Sequence, residues 1–447
     1  MLLFAILPGA GLAIYLLFGR GHKAFIRKHV LNEQTAPPVL GPMLSQTIAE
    51  HDKALMDFRE NSKASARIAT LVHSNSNSRV TTRNSVDVLQ DAEAAYPAMI
   101  EALAGARDSI HLHYYSWGAD NIGEGLLDLL AKKVKEGVEV RILYDPIGSW
   151  SRLSYRYLRR ARKAGINIRP FSSIRELHTV SYRNHRKIAL IDGKVAFVGG
   201  LNIGDEHIDP PSGFARWRDT NIKLRGSVVW SLQAIFLVDW SNATDEALSI
   251  ARFFPPLSDS FDPDPTAVQI CLSGPDSEYN AIRQLYFEMV VSAQEQVLIQ
   301  SPFFILDETI TEALKTKALS GVDVQVMISS AGPRQFVPYW AANTFAQDLA
   351  LAGVTVQLYD AGYLHAKTIC IDGAMCSIGS ANWDIRSFSI NYELTAVIYD
   401  TEIAKEIAAA IQADLAGCTR FDPDEYASRS RLGRFRDSVA RLASPLL

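Results

Sequence analysis

One pattern, written twice, constrains this chain more than any other feature. Positions 184–193 read NHRKIALIDG and positions 364–373 read LHAKTICIDG, so His-x-Lys, four residues and Asp-Gly recur 180 residues apart. At average residue usage a single copy has a chance expectation of roughly one in five hundred. Two copies argue for an internal repeat. In each, runs rich in β-branched and apolar residues flank Asp-Gly, the strongest short-range hairpin signal. His185 and Lys187, like His365 and Lys367, are therefore expected on a strand at i and i+2, where side chains share a face. A turn at Asp192-Gly193 sets Gly200 opposite His185, and a turn at Gly193-Lys194 sets Asn202 there. Either register leaves Asn202 on the His185 face, and identical spacing does the same for Asn382 in the second copy. Each half then presents a His-Lys-Asn cluster. Asp192 and Asp372 complete the signature, and on that ground count with the catalytic set His185, Lys187, His365 and Lys367. Seven residues of straight strand nevertheless span about 23 Å, which assigns both aspartates to turn chemistry and support.

The segments around the motifs repeat as well. SIHLHYYSW, GEGLLDLLAKKVKEG, VEVRILYD and AGINIRPF precede the first copy; QVLIQSPFF, DETITEALKTKALSG, VDVQVMIS and AGVTVQLY precede the second in the same order. Strands alternating with helices of this length predict βα units and mixed or parallel sheets. The fold expected is α/β, with tandem domains at 86–252 and 268–425 related by a pseudo-twofold axis. A Pro/Asp/Ser-rich linker, FFPPLSDSFDPDPTA, occupies 253–267, and 31–85 reads as connector. Further on, WRDTNIKL and NYELTAVI place Asp219 and Glu393 at matching positions, 34 and 28 residues after the histidine of the same half. Alignment of the repeats pairs each carboxylate with that histidine, where it would fix the tautomer.

Two histidines, two lysines (Lys187, Lys367) and two amides (Asn202, Asn382) brought into one site suit a phosphodiester. Ammonium and amide groups bind the non-bridging phosphate oxygens, one histidine attacks phosphorus and the other gives its proton to the leaving alkoxide. No Asp/Glu/His cluster has metal-ligand spacing, so neither metal nor other cofactor is expected. His73, His111, His113, His178 and His207 read as structural. Trp117, Phe303, Phe304, Trp340 and Trp383 suit either a lipid-receiving cleft or the core.

The chain has 447 residues, 48% hydrophobic and 21% charged, with a net charge of -4. That balance disfavours nucleic acid as a partner. The four cysteines lack close pairing and read as reduced. Leu2 to Phe18 is a run of 17 uncharged residues followed by Arg20, Lys23, Arg27 and Lys28. At about 25 Å as a helix it can serve as a membrane anchor (1–30 with its basic flank), leaving the catalytic domains on the cytoplasmic side. At the other end, within 426–447, Leu432, Phe435, Val439 and Leu442 recur at helical spacing among Arg429, Arg431, Arg434, Arg436 and Arg441. Such a basic amphipathic helix fits an anionic membrane surface or its own domain equally.

With both His-x-Lys-x4-Asp motifs followed by Gly-Gly or Gly-Ser and Asn, the sequence resembles the phospholipase D superfamily. Through GGLNIGDE, WRDTNIKLRG, SPFFILDETITEAL, LHAK, GSANWDIRSFSINYEL and the closing SPLL it is similar, within that superfamily, to the bacterial cardiolipin synthases. The resemblance implies transfer of a phosphatidyl group between two phosphatidylglycerol molecules, with His185 as nucleophile and His365 as general acid and base, at the inner membrane. The residues themselves leave the two histidines interchangeable. Such synthases usually begin with two hydrophobic spans, and this chain shows one. A hydrolase using water as acceptor is the alternative. A nuclease is disfavoured by the charge, and a catalytically dead scaffold by two intact clusters.

Overall fold

The computed structural model of the protein describes residues 40–172, 181–244, 246, 251–257, 265–332 and 336–442. Its first sheet holds β1 (Asn84–Gln90), β2 (Ser109–Tyr114), β3 (Glu139–Tyr144), β4 (Asn167–Pro170), β5 (Ile188–Ile191), β6 (Val195–Gly199) and β7 (Thr220–Gly226), ordered β1-β7-β6-β5-β2-β3-β4. The second holds β8 (Val268–Ser273), β9 (Gln296–Ser301), β10 (Asp323–Ser329), β11 (Thr355–Tyr359), β12 (Thr368–Ile371), β13 (Met375–Gly379) and β14 (Glu393–Ile398), ordered β8-β14-β13-β12-β9-β10-β11. Each strand of the second sheet stands where the strand seven places earlier stands in the first. In both, the last three strands run parallel and the other pairs antiparallel. Val80–Thr81 and Cys418–Arg420 extend the edges of the second sheet.

The helices of six residues or more among the described residues are α1 (Gly41–Asn61), α2 (Lys63–Ser76), α3 (Asp91–Gly105), α4 (Asn121–Lys135), α5 (Tyr155–Lys163), α6 (Val228–Thr244), α7 (Ala281–Ser292), α8 (Glu308–Leu319), α9 (Val337–Ala350), α10 (Thr401–Asp414), α11 (Pro423–Ser428) and α12 (Arg431–Leu442), and Ile385–Ser389 forms a shorter one. The repeat extends to their caps. Asp120 and Asp307 accept from Gly123 N and Ile310 N at the starts of α4 and α8. Both helices end on a left-handed glycine, Gly137 at φ 91° and Gly321 at φ 92°, after which Val138 N and Val322 N return to Lys133 O and Lys317 O.

Strand alternation sorts the core. Ile188 and Leu190 of β5 enter a middle layer between the two sheets, where they join Val198, Ile222, Ile378 and Leu394. Ala189 and Ile191, on the opposite face, pack under α3 and α4 with Tyr96, Leu126 and Leu130. The second half builds its own outer layer from Leu285, Ile310, Leu314 and Phe345. Each large apolar side chain so buried contributes about 1.5–3 kcal/mol, so the middle layer fixes one half against the other.

The expected connector, 31–85, holds α1, α2, the strand Val80–Thr81 and the first two residues of β1. Ile68 and Val72 of α2 enter the core of the second half and Arg67 pairs with Glu288, so α2 packs on that half. The expected anchor, Leu2 to Phe18, lies outside the described residues, and none of the described helices is long and apolar enough to cross a membrane. The hairpin register differs by one residue from both alternatives. Ile191 pairs with Val195 and Ile371 with Met375 around three-residue loops, because Asp192 (φ 53°), Gly193 (φ 62°), Asp372 (φ 53°) and Gly373 (φ 58°) are all left-handed. His185, Lys187, His365 and Lys367 consequently precede the regular strands, which begin at Ile188 and Thr368.

Candidate active site

Each histidine is held by the opposite half. His185 N donates to Tyr392 O at 2.9 Å and His365 N donates to Arg218 O at 2.7 Å. The residue after each acceptor is the carboxylate, so the backbone contact dictates the side-chain one. His185 Nδ1 lies 3.1 Å from both Glu393 oxygens, and His365 Nδ1 lies 2.7 Å from Asp219 Oδ2. Pairing within a half, as the repeat alignment has it, is corrected: Glu393 serves His185 and Asp219 serves His365. Equivalent positions fall within one repeat, but the strand leading into each histidine docks on the other half. The short parallel pair Tyr363–Leu364 with Trp217–Arg218 and the bridge between Asn184 and Tyr392 are that docking.

With Nδ1 engaged, Nε2 is the ring nitrogen left for the cleft of about 510 Å³ that both histidines line. Asn202 and Asn382 line it too, past the ends of β6 and β13. Asn202 Oδ1 accepts from Ser116 N, and Asn382 Nδ2 donates to Asp384. Asn382 Oδ1 is buried without a hydrogen-bond partner among the described residues. Lys187 and Lys367 are buried beneath, each ammonium donating to the carbonyl of its own histidine.

Burial shapes the electrostatics. It pulls Lys187 down to about 7 and Lys367 to about 8, each partly restored by the site's carboxylates. His365 is held well below the ordinary histidine value of 6.5 by burial and then by the two lysines. Burial also lowers His185, but Glu393 opposes it. Burial alone would raise Glu393, yet His185 and Lys187 leave it below the usual carboxylate value, whereas burial does raise Asp219. The two histidines are thus unequal: His185 faces the more firmly ionised carboxylate.

The sequence difference between Gly-Gly and Gly-Ser explains part of this. A methyl at Gly200 would overlap the Asp219 carboxylate. At the equivalent place, Ser380 instead donates its hydroxyl to Glu393 Oε2 at 2.5 Å, adding a hydrogen bond to the longer side chain.

Asp192 and Asp372 do not join the site. Asp192 accepts from the amides of Arg107, Asp108 and Ser109, and Asp372 from those of Gln294, Glu295 and Gln296. Each ties the hairpin tip to the start of the neighbouring strand. Their membership of the catalytic set is corrected on that ground.

A family model described as a cardiolipin synthase, phospholipase D-like domain matches residues 99–222 and 286–415, one match on each half of the site. The major cardiolipin synthase of Bacillus subtilis is 37% identical over 100% of this chain and 92% of its own length. The chain belongs to the phospholipase D-like cardiolipin synthase family. A cardiolipin synthase of Oceanobacillus iheyensis is 40% identical over 82% of this chain and 76% of its own. In fold, the chain is similar to the phosphatidylserine synthase of Haemophilus influenzae, with TM-score 0.66, 14% identity, and coverage of 86% of this chain and 100% of that one.

In this member of the cardiolipin synthase family the cleft has groups that the motifs do not contain. Arg183 and Arg386 line it near His185, with Asp145 3.9 Å from Arg183. Near His365 stand Trp217 and the ion pair of Arg152 with Glu206. Tyr115 packs edge-on against His185, and Lys187 lies over its ring. The readable signal was position: Arg183 is two residues before His185, and Arg386 four after Asn382. Of the aromatic residues with two readings, Phe303 lines the cleft, and Trp117, Phe304 and Trp383 are core. His207 is buried against Trp217, with neither ring nitrogen hydrogen-bonded among the described residues and Nε2 3.9 Å from Glu206 Oε1.

Proposed function

We propose that this chain is a cardiolipin synthase, moving a phosphatidyl group from one phosphatidylglycerol to the terminal hydroxyl of another, with release of glycerol. The observation that carries the reading is the convergence of both His-carboxylate pairs, each formed across the two halves, on one cleft floored by two lysines. Neutral His185 attacks phosphorus through Nε2, the bond from phosphorus to the glyceryl oxygen breaks, and His365 gives that oxygen its proton. Glu393 stabilises the positive charge that builds on the His185 ring. Lys187, Lys367, Asn202 and Asn382 bind the non-bridging oxygens, so the phosphate itself supplies the negative charge that keeps the lysines and His365 protonated. In the second step His365 takes the proton of the incoming hydroxyl, which attacks phosphorus and breaks the P–N bond. The cleft works at a membrane surface, since both lipids reside there; an inner-membrane location with the catalytic halves in the cytoplasm accords with the charge that follows Leu2 to Phe18.

Lipid mass spectrometry on the purified chain in phosphatidylglycerol vesicles tests this. Cardiolipin with equimolar glycerol is expected, and phosphatidic acid as sole product would make water the acceptor and overturn the synthase assignment. His185→Ala and His365→Ala should each lower turnover by roughly 10³-fold or more; near-normal turnover in either would refute the two-histidine mechanism.

A further inference from the structure

Helix α12 is amphipathic the wrong way round for a helix that only packs on its own domain. Its buried residues are Asp437 and Ala440, whereas Leu432, Phe435, Val439 and Leu442 are 82%, 68%, 47% and 78% exposed. The helix is held firmly in this attitude. Asp437 accepts from Asn343 of α9 at 3.2 Å, Arg441 pairs with Asp348 at 2.6 Å, and the Arg436 and Arg441 guanidinium groups lie over Trp340 and Phe345. Four polar ties thus point an apolar edge at solvent, beside Arg429, Arg431 and Arg434.

That edge leads to the catalytic cleft. A hollow of about 370 Å³ between α12 and the start of α9 is lined by Arg429, Arg436, Trp340 and Phe336, and it shares Gly332 and Tyr339 with the cleft wall. At this rim Phe336 is 66% exposed. On the opposite rim, the loop that gives Ile147 and Ser151 to the cleft leaves Trp150 68% exposed. Apolar side chains therefore border the mouth from both halves, and arginines stand beside them.

We propose that α12, with Phe336 and Trp150 at the rim, is a docking face for an anionic phospholipid bilayer and seats the mouth of the cleft at the headgroup layer. The inference rests on the synthase reading for its choice of a lipid surface. Apolar side chains backed by arginine match acyl chains beneath anionic headgroups, at an insertion depth of about 5–10 Å. An opening pressed to the headgroups lets a lipid's phosphate reach the histidines while its acyl chains stay in the membrane.

Nitroxide labels on the full chain at Leu432→Cys and Phe435→Cys, with Leu319→Cys as reference, test the face directly. Leu319 is 74% exposed but ends α8, ahead of β10, whereas the cleft lies beyond the far end of that strand. In phosphatidylglycerol vesicles the first two labels should become more accessible to oxygen than to a water-soluble nickel chelate, and the reference should not. Labels that stay in water would overturn the proposal. So would labels that immobilise without vesicles as protein concentration rises, since a second copy would then cover the face. Because each label reports only its own site, vesicle binding through another segment cannot imitate the result. The double variant Leu432→Glu/Phe435→Glu should need about tenfold more vesicle lipid for half-maximal rate, yet turn over dispersed short-chain phosphatidylglycerol unchanged. An unchanged lipid requirement would count against docking. Failure of the parent protein to form cardiolipin from either substrate would count against the synthase reading alone, with the labels still deciding the docking face.

Discussion

At the scale of single residues, the site is a set of opposed costs. Two ammonium groups and two imidazoles buried together disfavour one another's charge, and the two carboxylates offset only part of that. A bound phosphodiester completes the balance, which gives kcat/KM a defined pH profile. On the acid side it should fall only below 6.5, because His185 must be neutral to attack and burial lowers its pKa. On the alkaline side it should fall first as His365, held well below 6.5 in the free enzyme, loses the proton it must donate, and further through about 7 to 8 as Lys187 and Lys367 lose theirs. An alkaline limb near 10, the range of an exposed lysine, would refute the buried-lysine account. The crossed pairing makes its own prediction. Glu393→Gln should lower turnover by roughly 10²–10⁴-fold and shift the Nδ1 resonance of His185, and Asp219→Asn should shift that of His365. The opposite assignment by nitrogen NMR would restore pairing within a half. Gly200→Ala should displace the Asp219 carboxylate and lower kcat with little change in KM, whereas Ser380→Ala removes one hydrogen bond from Glu393 and should cost less.

Among the elements, the hairpins show what the sequence could tell. The His-x-Lys-x4-Asp-Gly pattern located both hairpins and their partner strands, since apolar alternation and Asp-Gly are local signals. It did not give the register, because Asp192 and Asp372 adopt left-handed backbone and open each loop to three residues. Nor did it separate the aspartates' conspicuous place in the motif from their task, which is to tie three backbone amides each. Asp192→Ala therefore leaves three donors with one acceptor fewer, and should destabilise the fold by about 1–3 kcal/mol with kcat nearly intact. Calorimetry beside single-turnover rates separates the two; loss of chemistry at normal stability would return Asp192 to the catalytic set. The pairing of Asp219 and Glu393 was illegible for a different reason. Which half a strand docks on depends on tertiary contacts, and no spacing within one repeat encodes it.

Taken whole, the molecule is one catalytic unit written as two repeats. The repeated order of elements was legible from the doubled segments, and the seven-strand offset between the sheets follows from it. What binds the halves includes a buried polar contact as well as the apolar middle layer. Arg218, beside Asp219 in the first half, reaches Asp414 of α10 in the second at 2.7 Å, and Gln300 Nε2 donates to the same carboxylate. Asp414→Ala would leave that guanidinium with Asp91, 3.2 Å away, as its remaining carboxylate partner and should cost about 1–3 kcal/mol, with turnover falling as the backbone that holds His365 loosens; an unchanged melting temperature would argue against the tie. Since neither half holds the carboxylate for its own histidine, the reaction is a property of the assembled chain.

In the proposed reaction His185, completed by Glu393 from the other half, carries the phosphatidyl group. The most direct measurement is to mix the protein with phosphatidylglycerol labelled at phosphorus, quench in alkali, where phosphorus–nitrogen bonds to histidine survive, and map the label by peptide mass spectrometry. Label on the peptide containing His185, absent from His185→Ala and much reduced in Glu393→Gln, is the result expected. Label on His365, or product formed with no labelled histidine at any time point, would contradict the account.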